Sequence, residues 1–132
     1  MFNKIKNFYN DYKQKTLLVV NNAKLLAKDT KVKFKDLYQT NYDTGMYHLK
    51  NGNLIDATFR FNIMSKLWKK KAEGKYYYAY CLILNGKIDK SRLILMGIKD
   101  DYPNADSLLH RIDNNEVGKI IEEYNATLAE KN

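Results

Sequence analysis

A pair of residues occurs twice in this 132-residue chain at a spacing that dictates architecture: Asn51-Gly52 returns as Asn85-Gly86, 34 residues later. At the same offset Gly45 matches Ala79, Leu49 matches Ile83, Ala57 matches Ser91, Phe61 matches Leu95 and Met64 matches Ile98. A shared turn, shared small positions and shared large apolar positions point to a duplicated unit, and a period of 34 residues accommodates one helix–turn–helix.

Hydrophobic spacing predicts helices throughout. Ile5, Phe8, Tyr9, Tyr12, Val19, Val20, Ala23 and Ala27 recur every three or four residues, interrupted only at Thr16, with an end at Asp29-Thr30. This is one long helix, or two broken near Lys15. A second stripe runs Phe34, Leu37, Tyr38, Tyr42, Met46 and Leu49 and stops at Asn51-Gly52, where Gly takes the left-handed conformation without a Cβ clash. A third comprises Leu54, Ala57, Phe61, Met64 and Trp68, and a fourth runs from Tyr76 through Tyr77, Tyr80, Ile83 and Leu84 to Asn85-Gly86. Ile88, Ser91, Leu95 and Ile98 form a fifth, halted by Tyr102-Pro103. A short piece over 105–112 and a last stripe, Val117, Ile120, Ile121, Tyr124 and Leu128, follow, with Asn115 as the expected cap of the last helix. One proline and six glycines leave too few turn residues for an all-β fold. The expectation is one all-α domain over 1–132.

The paired units resemble the tetratricopeptide repeat. With one unit at 38–71 and the next at 72–105, Gly45 and Ala79 fall at the family's first small position. Gly52 and Gly86 fall at its turn glycine, Ala57 and Ser91 at its second small position, Phe61 and Leu95 at its large apolar position, and Pro103 at its terminal proline. Small residues let the helices of a hairpin approach, and the large one fills the gap between hairpins. The departures are Asn41 and Lys75 where the family has Trp, Thr44 and Tyr78 where Leu is usual, His48 and Leu82 in place of Tyr, and Lys69 in place of the first proline. Upstream the same register puts Asp11, and downstream Asp113 and Asn125, at small positions, so no third unit is expected. Two units do not close a core unaided. The N-terminal segment 1–30 and the C-terminal helices in 106–132 are expected to cover the ends, and a homo-oligomer is the other way to bury them.

The resemblance implies a groove lined by the first helix of each hairpin: Gln39, Tyr42, Met46, Leu49 and Lys50 from one, Glu73, Tyr76, Tyr80, Ile83 and Leu84 from the other, with Tyr77 beside them. A Tyr- and Met-rich face suits binding of another protein or peptide. Two arrangements fit the pattern: an open groove, or one filled by the N-terminal helix.

Charge offers a second surface. Residues 1–99 carry 20 Lys/Arg against 7 Asp/Glu, and residues 100–132 carry 3 against 8. Lys66, Lys69, Lys70, Lys71 and Lys75 cluster around Trp68, a pattern compatible with nucleic acid or with anionic membrane lipid. All but three of the basic residues are Lys rather than Arg, which weakens a phosphate-reading or base-reading interpretation.

Chemistry is poorly represented. His48 and His110 stand far apart without carboxylates or cysteines at ligand spacing, the six glycines form no phosphate-cradling loop, and Asp100-Asp101 are sequence neighbours that do not face each other on a helix. The single Cys81 lies in an apolar run and can build neither a disulfide framework nor a metal site. No catalytic residue, metal or cofactor is expected. With no span-length apolar segment and no signal-peptide core, a cytoplasmic location is expected.

Overall fold

A computed structural model describes residues 2–29 and 31–130. Among the described residues there are seven helices and no strand: α1 (Phe2–Asp29), α2 (Lys31–Lys50), α3 (Leu54–Leu67), α4 (Ala72–Leu84), α5 (Ile88–Ile98), α6 (Pro103–Asp113) and α7 (Val117–Ala129). The protein is all-α, and α3 to α6 pack consecutively, consistent with a helical-repeat arrangement. The chain forms two compact units, Met1–Thr40 and Asn41–Asn132.

In the first unit α1 is one unbroken helix. Thr16 does not interrupt it, because its hydroxyl donates to the Tyr12 carbonyl oxygen one turn back (2.9 Å). The side chains of Ile5, Phe8, Ala23, Ala27 and Phe34, expected on apolar stripes, lie outside the described residues.

The second unit begins within α2. There Gly45 meets Phe61 of α3 so closely that a Cβ would sit 2.8 Å from the ring, and Arg60 donates to the Asn41 amide oxygen at 3.1 Å. Packing then proceeds α3 on α4, α4 on α5 and α5 on α6. Gly74 fixes the α3–α4 approach: a Cβ there would lie 2.7 Å from that of Met64. Ser91 serves α4–α5 in another way, since its buried hydroxyl donates to the Ala79 carbonyl oxygen at 2.8 Å. Phe61, Ile63, Met64, Ile83 and Leu95 are fully or almost fully enclosed.

Gly52 and Gly86 close α2 and α4 at φ of +80° and +81°. In each case two backbone amides return to the last turn: Gly52 and Asn53 to Leu49 and His48, Gly86 and Lys87 to Ile83 and Leu82. Asn115 does the same for α6, at φ 60°, with Asn115 and Glu116 donating to Ile112 and Arg111. It therefore ends α6 rather than starting α7, whose preceding residue is Glu116. Asn is a residue type that tolerates the left-handed region.

Aligned on these turns, the core positions repeat three times. Leu49, Ile83 and Ile112 precede the turn residue by three, and Phe61, Leu95 and Tyr124 follow it by nine. All six are buried. The third interval is 29 residues, not 34. Its two small positions hold Leu108 and Ile120, too large for close helix approach, and α7 packs back onto α4. Arg111 holds the start of α7, forking both carboxylate oxygens of Glu123 at 2.8 Å while its Nε donates to Glu116.

Candidate functional site: a tyrosine-lined cleft

The return of α7 onto α4 shapes a concavity of the second unit. The Tyr124 hydroxyl donates to the Leu49 carbonyl oxygen at the end of α2 (2.6 Å), and the Leu128 side chain lies over Gly52. Thus α7 reaches from α6 across α4 to the end of α2. Beside it is a cleft of about 730 Å³. Met46, Leu49 and Lys50 of α2 line one side, Tyr76, Tyr77 and Tyr80 of α4 the floor, and Asn104 of α6 with Tyr124, Thr127 and Glu130 the other side.

The rings support one another. Tyr77 stacks on Phe61 (centroids 5.2 Å apart) and meets Tyr42 and Tyr76 edge-on at 5.9 and 5.1 Å. Tyr76 leans on Tyr102 at 4.9 Å, and Tyr80 meets Tyr124 edge-on at 6.4 Å. Such contacts restrict ring motion, so less freedom remains to be lost on binding. Burial, then neighbouring phenols, pushes the Tyr76 and Tyr77 hydroxyls upward, and burial with Tyr76 and Tyr124 nearby pushes Tyr80 to about 12. Burial also raises Tyr124. The floor therefore presents neutral hydroxyls at ordinary pH.

Of the groove residues expected from sequence, Met46, Leu49, Lys50, Tyr76, Tyr77 and Tyr80 come together here. Tyr42 is half-buried behind Tyr77 and supports the floor without lining the cleft. Glu73 is half-buried in the first turn of α4, near Tyr102, whose hydroxyl is pushed upward by burial first and by the Glu73 charge second. Ile83 is fully enclosed in the core and Leu84 half-buried, so neither lines the cleft. Gln39 is exposed and belongs to the first unit. Asn104, Tyr124, Thr127 and Glu130 were not expected; the shortened third interval that places them is legible as Asn115, 29 residues after Gly86.

A smaller hollow of about 250 Å³ lies among α3, α4 and α5, lined by Ser65, Lys75, Tyr78, Leu93, Ile94 and Gly97. It adjoins the lysine cluster. Lys66, Lys69, Lys70 and Lys71 are exposed, while Lys75 is half-buried at the hollow. Trp68 is half-buried where α3 ends.

Among the described residues no group of three or more His, Cys, Asp or Glu could hold a metal ion. The Cys81 thiol is fully enclosed, and burial pushes it up to about 12, leaving it protonated and a poor nucleophile. His48 is half-buried near the Asn53 amide, and His110 is exposed at the end of α6 beside Asp106. Among the described residues no helix is long and apolar enough to cross a membrane. No protein-family model, characterised protein or solved structure matches the chain.

Proposed function

We propose that this chain is a protein-interaction module, built from hairpins of the tetratricopeptide kind, that holds a segment of another protein in the tyrosine-lined cleft. The observation that carries this reading is the cleft itself: six half-buried or buried apolar and aromatic side chains from three helices converge on one concavity, braced ring against ring. Tyr supplies large rigid contact area together with a hydroxyl, and sites of this composition concentrate binding energy in a few residues. The two left-handed glycine turns at the same offset, with small and large residues in register, support the tetratricopeptide assignment. The single buried thiol suits a reducing compartment, and we place the module in the cytoplasm as an adaptor or chaperone-like scaffold.

The test is paired substitution of Tyr76→Ala and Tyr80→Ala. Partners captured from native lysate by the wild-type chain under nuclease treatment and raised salt should be lost. Affinity for the isolated partner should fall by about thirtyfold or more per residue if both are hot spots. Circular dichroism should still report a helical chain. Undiminished capture by a folded double variant would refute the assignment.

A further inference from the structure

A second surface lies away from the tyrosine cleft, on the outer side of α5. Leu93 is 71% exposed and Met96 is 52% exposed, three residues apart on one helix face, with the side-chain-free Gly97 beside them. Exposed aliphatic side chains of this size are ordinary singly. Here their surroundings make them informative. Lys90 stands three residues before Leu93 and Lys99 three residues after Met96, so an ammonium flanks each end of the apolar stretch. Lys75 shares a hollow with Leu93 and Ser65, and the exposed Lys66, Lys69, Lys70 and Lys71 follow from the end of α3. Between residues 66 and 99 there are nine Lys/Arg and two acidic residues, and Arg92 pairs with Asp113 at 3.0 Å. The result is two aliphatic knobs rimmed by lysines.

We propose that this face docks peripherally on an anionic phospholipid bilayer, the lysines meeting headgroup phosphates and carboxylates while Leu93 and Met96 enter the acyl boundary. Compact ammonium groups on flexible stems suit a fluid anionic surface, and aliphatic knobs suit the zone just beneath it. The same features disfavour nucleic acid. Lysines predominate over the forked guanidinium that reads phosphate, and the aromatics nearby are partly or wholly withdrawn from solvent: Trp68 is half-buried and Tyr78 is buried with the Lys90 ammonium 5.4 Å above its ring. This proposal goes beyond the cleft reading and stands or falls separately from it.

The experiment is vesicle co-sedimentation of the full chain. Vesicles of phosphatidylcholine alone are compared with a four-to-one mixture of phosphatidylcholine and phosphatidylserine, at low and at physiological salt. The chain is expected to partition to the anionic vesicles, less so as salt rises, and to ignore the neutral ones. Lys66→Gln with Lys75→Gln should lower partitioning by about tenfold or more, because each surface lysine contributes severalfold. Leu93→Ser with Met96→Ser should lower it by about tenfold at unchanged charge. Tyr76→Ala with Tyr80→Ala should leave it unchanged, which separates this surface from the cleft. Equal sedimentation with neutral vesicles would overturn the proposal. So would wild-type partitioning by both pairs of variants, as would single-stranded DNA that binds more tightly than the vesicles and is insensitive to the Leu93 and Met96 substitutions.

Discussion

Removing one oxygen atom tests how α7 is held over the cleft. Tyr124→Phe deletes the hydroxyl that donates to the Leu49 carbonyl oxygen at 2.6 Å. Both residues are buried, at 6% and 5% exposure, so water does not readily replace the lost donor. The carbonyl keeps only the Gly52 amide, at a long 3.4 Å. A buried acceptor deprived of its good partner costs about 1–2 kcal/mol, while the ring and its edge-on contact with Tyr80 are retained. In a unit of the size of Asn41–Asn132 this corresponds to a midpoint about 5–10 °C lower. Trp68, the single tryptophan, lies in that unit and reports its unfolding by fluorescence in urea or on heating. The exposed Tyr47→Phe is the control and should change stability by less than about 0.5 kcal/mol. If Tyr124→Phe melts within a degree of wild type, the Tyr124 hydroxyl does not hold α7 to α2, and the description of the cleft's upper wall is wrong.

Three glycines should respond in opposite directions to one added methyl group. Gly74→Ala forces a Cβ to 2.7 Å from that of Met64, 3.2 Å from the Met64 carbonyl carbon and 3.3 Å from the Ser65 nitrogen, and should cost about 1–3 kcal/mol in a denaturant melt. Gly86→Ala meets nothing within 4 Å but must hold φ near +81°, and should cost about 1 kcal/mol from backbone strain alone. Gly97→Ala, inside α5 with open space around it, should instead stabilise by about 0.5–1 kcal/mol. The alkaline limb follows from the raised Cys81 and tyrosine groups. These groups bind their protons more tightly folded than unfolded, so stability is intact below pH 9. It should fall as pH rises through the ordinary thiol and phenol values (9.0 and 10.0) toward the folded values near 12 of Cys81 and Tyr80. Denaturant melts at successive pH values check the sign; a midpoint that rises with pH over this range would contradict it.

The array was legible in the sequence because its signals are local. Gly52 and Gly86 are where the chain must turn left-handed, and a residue without a Cβ marks such a place whatever surrounds it. The apolar spacing around them gives each helix its buried face, so Phe61 and Leu95 were expected in the gaps between helices and are buried there, whereas Ile83, expected on the groove, is enclosed in the core. The cleft was only half legible for the same reason. Its α2 and α4 walls follow from the repeat, but its far wall depends on a third turn in which Asn replaces Gly and the interval shortens, so a search at a fixed offset steps past it. That substitution has a structural consequence. Leu108 and Ile120 stand where the earlier hairpins have Gly45 and Ala57, Ala79 and Ser91. Side chains of that volume fill the space between α6 and α7, where Leu108 and Ile120 join one core cluster, and α7 also packs on α4. The third interval thus supplies a wall of the cleft rather than one more repeat of the same spacing.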